Sequence, residues 1–303
     1  MQLSSLIFLA LFAILSIFPA QNLAFRQQSV GIRGRLMCGD KPLSGAKVKL
    51  WNKNRLGRDD QLADSKTDAM GNFNLDGGIG SIFGMNVRFK IYHDCDRGVL
   101  PCQRKVNLGI PSVYVTRTST VTKWFDAGVL NMQFKFPDEA TSLMYLFPVS
   151  IKHENSISCK MFPKVFLPVL IALLAYVSCA LAFRQQVVGV EGRLMCGSQP
   201  LNNTQVKLWS KNKLGTDDQL AHTKTDNHGN FKLDGGVGSL LPLNVHLKFY
   251  HDCNDGIKPC QRKVDLGVPN EYVERADKVS KYFPAGTMNM EFVFPDEERS
   301  CIN

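Results

Sequence analysis

Val87-Arg88-Phe89-Lys90-Ile91-Tyr92, running into His93-Asp94-Cys95, alternates apolar and polar side chains at every step. In an extended strand successive side chains point to opposite faces. Val87, Phe89 and Ile91 therefore share one side and Arg88, Lys90 and Tyr92 the other, which is a strand with one core face and one wet face. The pattern returns at residues 245–253, where Val245, Leu247 and Phe249 alternate with His246, Lys248 and Tyr250 ahead of His251-Asp252-Cys253. Met132, Phe134 and Phe136 against Gln133 and Lys135 predict a last strand, Val48, Leu50 and Trp51 mark another, and residues 32–37 an early one. Turn chemistry separates these runs: Gly39-Asp40-Lys41-Pro42, Asp68-Ala69-Met70-Gly71-Asn72, Asp76-Gly77-Gly78 and Pro101. Short alternating strands at this spacing predict an all-β, mostly antiparallel sandwich. A short helix at residues 271–278 is the exception considered, but its counterpart at 113–120 is rich in β-branched residues and argues against it.

The recurrence extends over a whole domain. At an offset of 158, 70 of the 114 positions from 25 to 138 are identical. The period is far longer than that of solenoid repeats, so each copy is expected to fold as its own unit. The expected division is a signal peptide at 1–24, a first sandwich at 25–139, an unstructured junction at 140–160, a second signal-like segment at 161–182, and a second sandwich at 183–303.

Both copies are preceded by a targeting pattern. Residues 6–18 are apolar, Pro19 follows, and Ala24 stands before Phe25; in mid-chain, Lys164, the apolar run 165–177 and Ala180-Leu181-Ala182 stand before Phe183. Three readings compete for the second pattern: two neighbouring secreted proteins joined erroneously by the gene model, with Met161 the true start of the second, a membrane span over the uncharged residues 165–183, or a precursor cut at both edges. The first is preferred, because residues 140–160 resemble neither copy. The expected localisation is secreted and extracellular.

A net charge of +9 (36 Lys and Arg against 27 Asp and Glu) suggests a polyanionic partner. The charge is unevenly placed. Residues 25–139 hold 18 cations against 11 anions, and residues 183–303 hold 15 against 15. A role shared by both copies cannot rest on the surplus, and no helix-turn-helix, zinc-finger or RNP-like motif is present, so no nucleic-acid partner is expected. The glycine runs at 76–80 and 234–238 have no Lys-Ser/Thr at phosphate-loop spacing and read as flexible connections between strands; no cofactor is expected.

Arg33-Gly34-Arg35-Leu36-Met37-Cys38, Lys41-Pro42-Leu43, Val48-Lys49-Leu50-Trp51, Thr67-Asp68 with Gly71-Asn72-Phe73, and Tyr92-His93-Asp94-Cys95 with Pro101-Cys102-Gln103-Arg104-Lys105 together resemble the nematode transthyretin-like proteins. The second copy repeats the set. The resemblance covers nearly all of both domains and implies a transthyretin-type sandwich acting outside cells, with no implied ligand. Relatives of that sandwich include hydrolases of 5-hydroxyisourate, marked by a C-terminal Tyr-Arg-Gly-Ser. Here the chain ends Glu298-Arg299-Ser300-Cys301-Ile302-Asn303, so catalysis is the alternative reading and not the expected one.

Nine cysteines in a secreted context read as a disulfide framework. Cys95 and Cys102 stand seven apart around Pro101, as do Cys253 and Cys260 around Pro259, and each pair is expected to close a local clip. A zinc site with His93, Asp94 or Asp96 is the competing reading. Cys196 is then expected to bond Cys301, leaving Cys38 unpaired or bonded to Cys159, with Cys179 lost in the signal segment. Asn202-Asn203-Thr204 is a glycosylation sequon present only in the second copy. The candidate binding surface comprises His93, Arg104 and Lys105 with His251, Arg262 and Lys263, where paired cations beside a rigid clip suit a phosphate or carboxylate. The bland alternatives are strand-end histidines that fix a loop, and solvated edge cations that block edge pairing. Expected partners are a cell-surface protein, a small apolar ligand or a lipid headgroup, with a homodimer as a further expectation.

Overall fold

The computed structural model describes residues 26–98, 103–139, 184–212 and 215–301. The signal-like segments, the junction, the proposed span at 165–183 and Cys102, Cys159 and Cys179 lie outside the described residues. Among the described residues no helix is long and apolar enough to cross a membrane.

The first copy is an eight-stranded sandwich: β1 (Arg26–Cys38), β2 (Lys41–Pro42), β3 (Lys47–Asn52), β4 (Asp60–Lys66), β5 (Asn72–Ser81), β6 (Val87–His93), β7 (Arg104–Gly109) and β8 (Trp124–Asn131). The second copy repeats it as β9 (Arg184–Cys196), β10 (Gln199–Pro200), β11 (Gln205–Ser210), β12 (Asp218–Lys224), β13 (Asn230–Ser239), β14 (Val245–His251), β15 (Gln261–Gly267) and β16 (Tyr282–Asn289), and adds β17 (Glu298–Ser300). One layer of the first copy runs β4-β3-β6-β7, all antiparallel. In the other layer β1 pairs antiparallel with β5 and parallel with β8. The alternation read from the sequence decides which side of each strand meets the other layer. Val48, Leu50, Phe89, Ile91, Val106 and Leu108 are buried on the inner side, and Phe73 stacks on Phe89 at 5.0 Å across the core.

Three expectations are corrected. The stretch 76–80 is the second half of β5, and its counterpart at 234–238 lies in β13; neither is a flexible connection. Its glycines are required by packing, because a Cβ at Gly78 would stand 2.3 Å from the Gln28 carbonyl oxygen and one at Gly77 2.4 Å from that of Leu62. Residues 132–136 form a turn after β8 and not a strand, since the Phe134 amide folds back to the Asn131 carbonyl at 3.4 Å. The helix considered at 271–278 is a single 3₁₀ turn, Asn270–Tyr272, matched by Ser112–Tyr114 in the first copy.

The two sandwiches share one sheet. β8 and β16 pair antiparallel with Gly128 opposite Met288, Val129 opposite Thr287 and Leu130 opposite Gly286, so Val129 faces its own repeat equivalent. Most flanking contacts have a twin at the 158-residue offset. Gly109 bridges Val293 as Lys135 bridges Gly267, and Phe125 meets Phe292 at 4.6 Å as Phe134 meets Phe283 at 4.7 Å. Asn131 Nδ2 donates to the Pro284 carbonyl as Asn289 Nδ2 donates to that of Asp126. This is the self-complementary geometry of a twofold dimer, realised within one chain. Gly128 and Gly286 take positive φ where the strands meet, and a Cβ on either would stand within 2.3 Å of the opposing carbonyl oxygen.

Candidate binding surface

The cysteines pair otherwise than spacing suggests. Cys38 bonds Cys95 and Cys196 bonds Cys253, each across 57 residues, and Cys260 bonds Cys301. The expected clips Cys95–Cys102 and Cys253–Cys260, the bond Cys196–Cys301 and the pairing of Cys38 with Cys159 are therefore corrected. The physical reason is layer geometry. Cys38 ends β1 in one sheet, Cys95 follows β6 in the other, and the Cys95 side chain points inward, so the bond ties the two layers at one end of the sandwich. Closure of loops of this length is worth about 4 kcal/mol in each case. With its sulfur committed to Cys38, Cys95 cannot serve as a zinc ligand.

Four of the six candidate surface residues are structural. Arg104 begins β7 on its inward side and is 7% exposed. Its guanidinium donates to the carbonyls of Cys95 (3.0 Å), Met132 (2.9 Å) and Phe134 (2.6 Å) and pairs with Glu139 at 2.6 Å. Arg262 repeats the set with Cys253, Met290, Phe292 and Glu297. These arginines bolt the disulfide loop to the turn after the interface strand, and all their donors are committed. His93 and His251 are each 1% exposed. Burial and then the adjacent Arg104 or Arg262 charge push both rings down to about 3, so they are neutral. The Cys253 amide donates to His251 Nδ1, while neither ring nitrogen of His93 has a partner among the described residues. Asn202 is exposed in the turn after β10.

Lys105 and Lys263 lie on the outer face of the second layer, and there the register assembles a surface that no single motif announced. One ladder row of the first copy reads Lys66–Lys47–Tyr92–Lys105, the next Lys49–Lys90–Asn107, and the next pairs Trp51 with Arg88. Lys90 Nζ stands 4.4 Å above the Trp51 ring and Lys105 Nζ 5.9 Å above Tyr92. The equivalent face of the second copy carries two added carboxylates, while Lys248 keeps its place 4.5 Å above the Trp209 ring. Asp265 replaces Asn107 and accepts from His246 (2.6 Å) and Lys211 (2.9 Å), while Glu298 on β17 holds Lys263 at 2.7 Å. Burial raises Asp265, but those two hydrogen bonds outweigh it and hold the carboxyl at about 2. The concave features are shallow; a groove of about 570 Å³ near β13 is open and lined by Glu191, Arg193, Asp226, Asn230, Lys232 and Thr287 among others.

With this geometry in place, the profile of the transthyretin-like family matches residues 33–111 and again 191–269. The chain belongs to the transthyretin-like family. Transthyretin-like protein 33 of Caenorhabditis elegans is 39% identical over 132 residues, which is 92% of that protein and 42% of this chain. Transthyretin-like protein 5 of the same organism is 38% identical over 137 residues, 99% of its length and 44% of this chain. Either relative spends nearly its whole length on a stretch that is less than half of this chain, in keeping with two transthyretin-like units in tandem.

Proposed function

We propose that this transthyretin-like tandem is a secreted, extracellular binding protein without catalytic activity, and that its partner docks on an exposed sheet face. The observation that carries the reading is the matched pair of disulfides Cys38–Cys95 and Cys196–Cys253, which tie the two layers of each sandwich and suit an oxidising compartment. Binding is favoured over hydrolysis because the two histidines nearest a catalytic role are sealed under the disulfide loops, where no substrate can reach them. The shallow, open concavities, which would enclose little of a small ligand, favour a macromolecular partner over a small apolar one. The mid-chain signal-like segment is read as the start of a second secreted unit fused to the first, and the shared β8–β16 sheet then records how such units pair.

Expression from the native reading frame in a eukaryotic secretory host, followed by intact mass spectrometry of the medium, tests the role. The expected product starts at Phe25 and carries the three disulfides in oxidised form. Retention inside the cell with free thiols at Cys38 and Cys95 overturns it.

A further inference from the structure

We propose that the outer face of β3, β6 and β7 in the first copy is a docking site for a sulfated polysaccharide, an inference that rests on the binding role above and names its partner. Lys47, Lys49, Lys66, Lys90, Lys105 and Arg88 stand together on this face. Among the described residues none of them is in an ion pair, and Lys49 Nζ donates to the neutral Gln61 Oε1 at 2.8 Å. Asp64, the carboxylate opposite Lys49, accepts instead from Gln61 at 3.0 Å. Strand geometry spaces these cations at about 5 Å across the sheet and about 7 Å along it, a flat lattice with no pocket walls. Such a lattice matches a linear polymer bearing closely spaced fixed anions and does not match a compact ligand. Lysine and arginine offer only donors, and sulfate esters offer only acceptors and stay charged at any physiological pH. Asn107 stands beside the cations as a neutral partner for hydroxyl groups.

The face is also prepared in advance. Trp51 lies under Lys90 at 4.4 Å and Lys49 at 5.7 Å, which holds both ammonium groups above the sheet and lowers the entropy lost when they engage an anion. Burial and the charge of Lys105, opposed by Asp59 and reinforced by Lys49 and Lys53, hold Lys90 below the ordinary lysine range; an incoming anion relieves that repulsion. Because the rings carry ammonium groups, they do not offer their faces for base stacking, which argues against single-stranded nucleic acid. A bilayer would require apolar side chains in the plane of the cations, and the exposed apolar residues Leu56, Ile82 and Phe83 sit instead in the loops beyond β3 and β5. The second copy sets Asp265 opposite Lys248 in the ladder and Glu298 on Lys263, so its face carries two carboxylates that repel an anion and serves as a built-in control within the same molecule.

Titration calorimetry of the full secreted chain with a heparin oligosaccharide across a salt series tests the proposal. Lys49→Gln with Lys90→Gln is expected to weaken binding about tenfold and to lower the slope of log affinity against log salt by about 2, while Lys207→Gln with Lys248→Gln leaves both unchanged. Lys248 is only 9% exposed, so near-ultraviolet circular dichroism checks that the fold is intact in both pairs. Equal losses from the two pairs, binding of desulfated heparin as tight as of heparin, or equal binding of duplex DNA or phosphatidylserine vesicles through the same lysines overturns the assignment. Labelled chain applied to cultured cells before and after heparinase separates the two levels of inference. Loss of binding after digestion supports the polysaccharide. Binding that survives digestion removes the polysaccharide and leaves the binding role standing, and no cell binding under either condition removes both.

Discussion

The two copies share their layer-tying disulfides, their buried arginines and their interface aromatics, and differ in the charge carried by the outer face of one layer. The layer-tying disulfides, the five-bond arginine bolts and the aromatic interface recur position for position, and the inner side of β6 exchanges Phe89 and Ile91 for Leu247 and Phe249 in β14, whereas the outer face of the same layer changes charge where Arg88 and Asn107 become His246 and Asp265. In the first copy no carboxylate among the described residues pairs with the cations over Trp51 and Tyr92; in the second, Glu298 holds Lys263, Asp265 holds Lys211 and His246, and Lys248 stays over Trp209. The covalent and hydrogen-bonded ties of the frame are kept, while core side chains exchange volume between neighbouring positions, Phe89 and Ile91 becoming Leu247 and Phe249. The wet face is free to acquire a task in one copy and lose it in the other. The tail follows the same division: β17 and Cys301 secure Cys260 in the second copy, and the position matching Cys301 in the first is Leu143.

The largest expected effect challenges the claim that the frame is equivalent in both copies. Replacing Cys38 and Cys95 by Ala should cost about 4 kcal/mol in denaturant unfolding, and replacing Cys196 and Cys253 the same. Because Cys95 is already committed, Cys102→Ser should leave stability unchanged, while Cys260→Ser removes the tail bond and costs up to about 4 kcal/mol. A loss from Cys102→Ser equal to that from Cys260→Ser would mean the copies are stapled alike after all.

The histidines extend the equivalence to pH. Each is neutral in the folded state, with its pKa lowered to about 3 against an ordinary 6.5. The unfolded chain therefore gains protons first. The stabilisation is fully present above pH 6.5 and is lost as pH falls from there toward 3, amounting to about 2 kcal/mol per copy at pH 5. Thermal melts of the full chain should show this decline, and His93→Phe or His251→Phe should each remove half of it. Asp265 adds a window found only in the second copy, where stability present above the usual carboxylate range is lost as pH falls toward 2.

The interface separates the copies by a smaller amount. Tyr114 donates to Glu291 at 2.5 Å, and Gln133 bonds both Glu271 and Tyr272. The repeat equivalents of Gln133 and of Val113 are Glu291 and Glu271, so a second copy paired with itself would set Glu271 against Glu291 at both ends. The mixed pair is expected to be favoured over that self-pair by about 1–2 kcal/mol, and Glu291→Gln to abolish the preference, as read by native mass spectrometry of separately produced copies.

How far this was legible follows from the same geometry. Period-two alternation exposes the core of β3, β6 and β7, because burial acts on each strand alone. The disulfides were misread because spacing along the chain says nothing about which layer a cysteine faces. His93 and Arg104 looked like surface chemistry for a related reason. They adjoin exposed residues in sequence, but their parity puts them inside, a signal that extending the alternation of β6 and β7 by one residue would have supplied. The cationic face was missed because Lys47, Lys90 and Lys105 come from three separate stretches and meet only when the register is known.

The smallest change bears most directly on what distinguishes the faces. Asn107 stands opposite Lys90 in the register, where the second copy has Asp265 opposite Lys248. Asn107→Asp introduces a carboxylate among unpaired ammonium groups without touching the core, so stability should rise by no more than about 0.5 kcal/mol, the usual worth of a surface ion pair. Its effect on binding should be larger than its effect on stability, since the new carboxylate both occupies Lys90 and repels an incoming polyanion. The matching change Asp265→Asn should release Lys211 and His246 and strengthen heparin retention by the second copy. If the two substitutions move retention in opposite directions while melting temperatures barely shift, the charge of this one ladder position sets the difference between the copies; if retention does not move, the difference resides in the lysines alone.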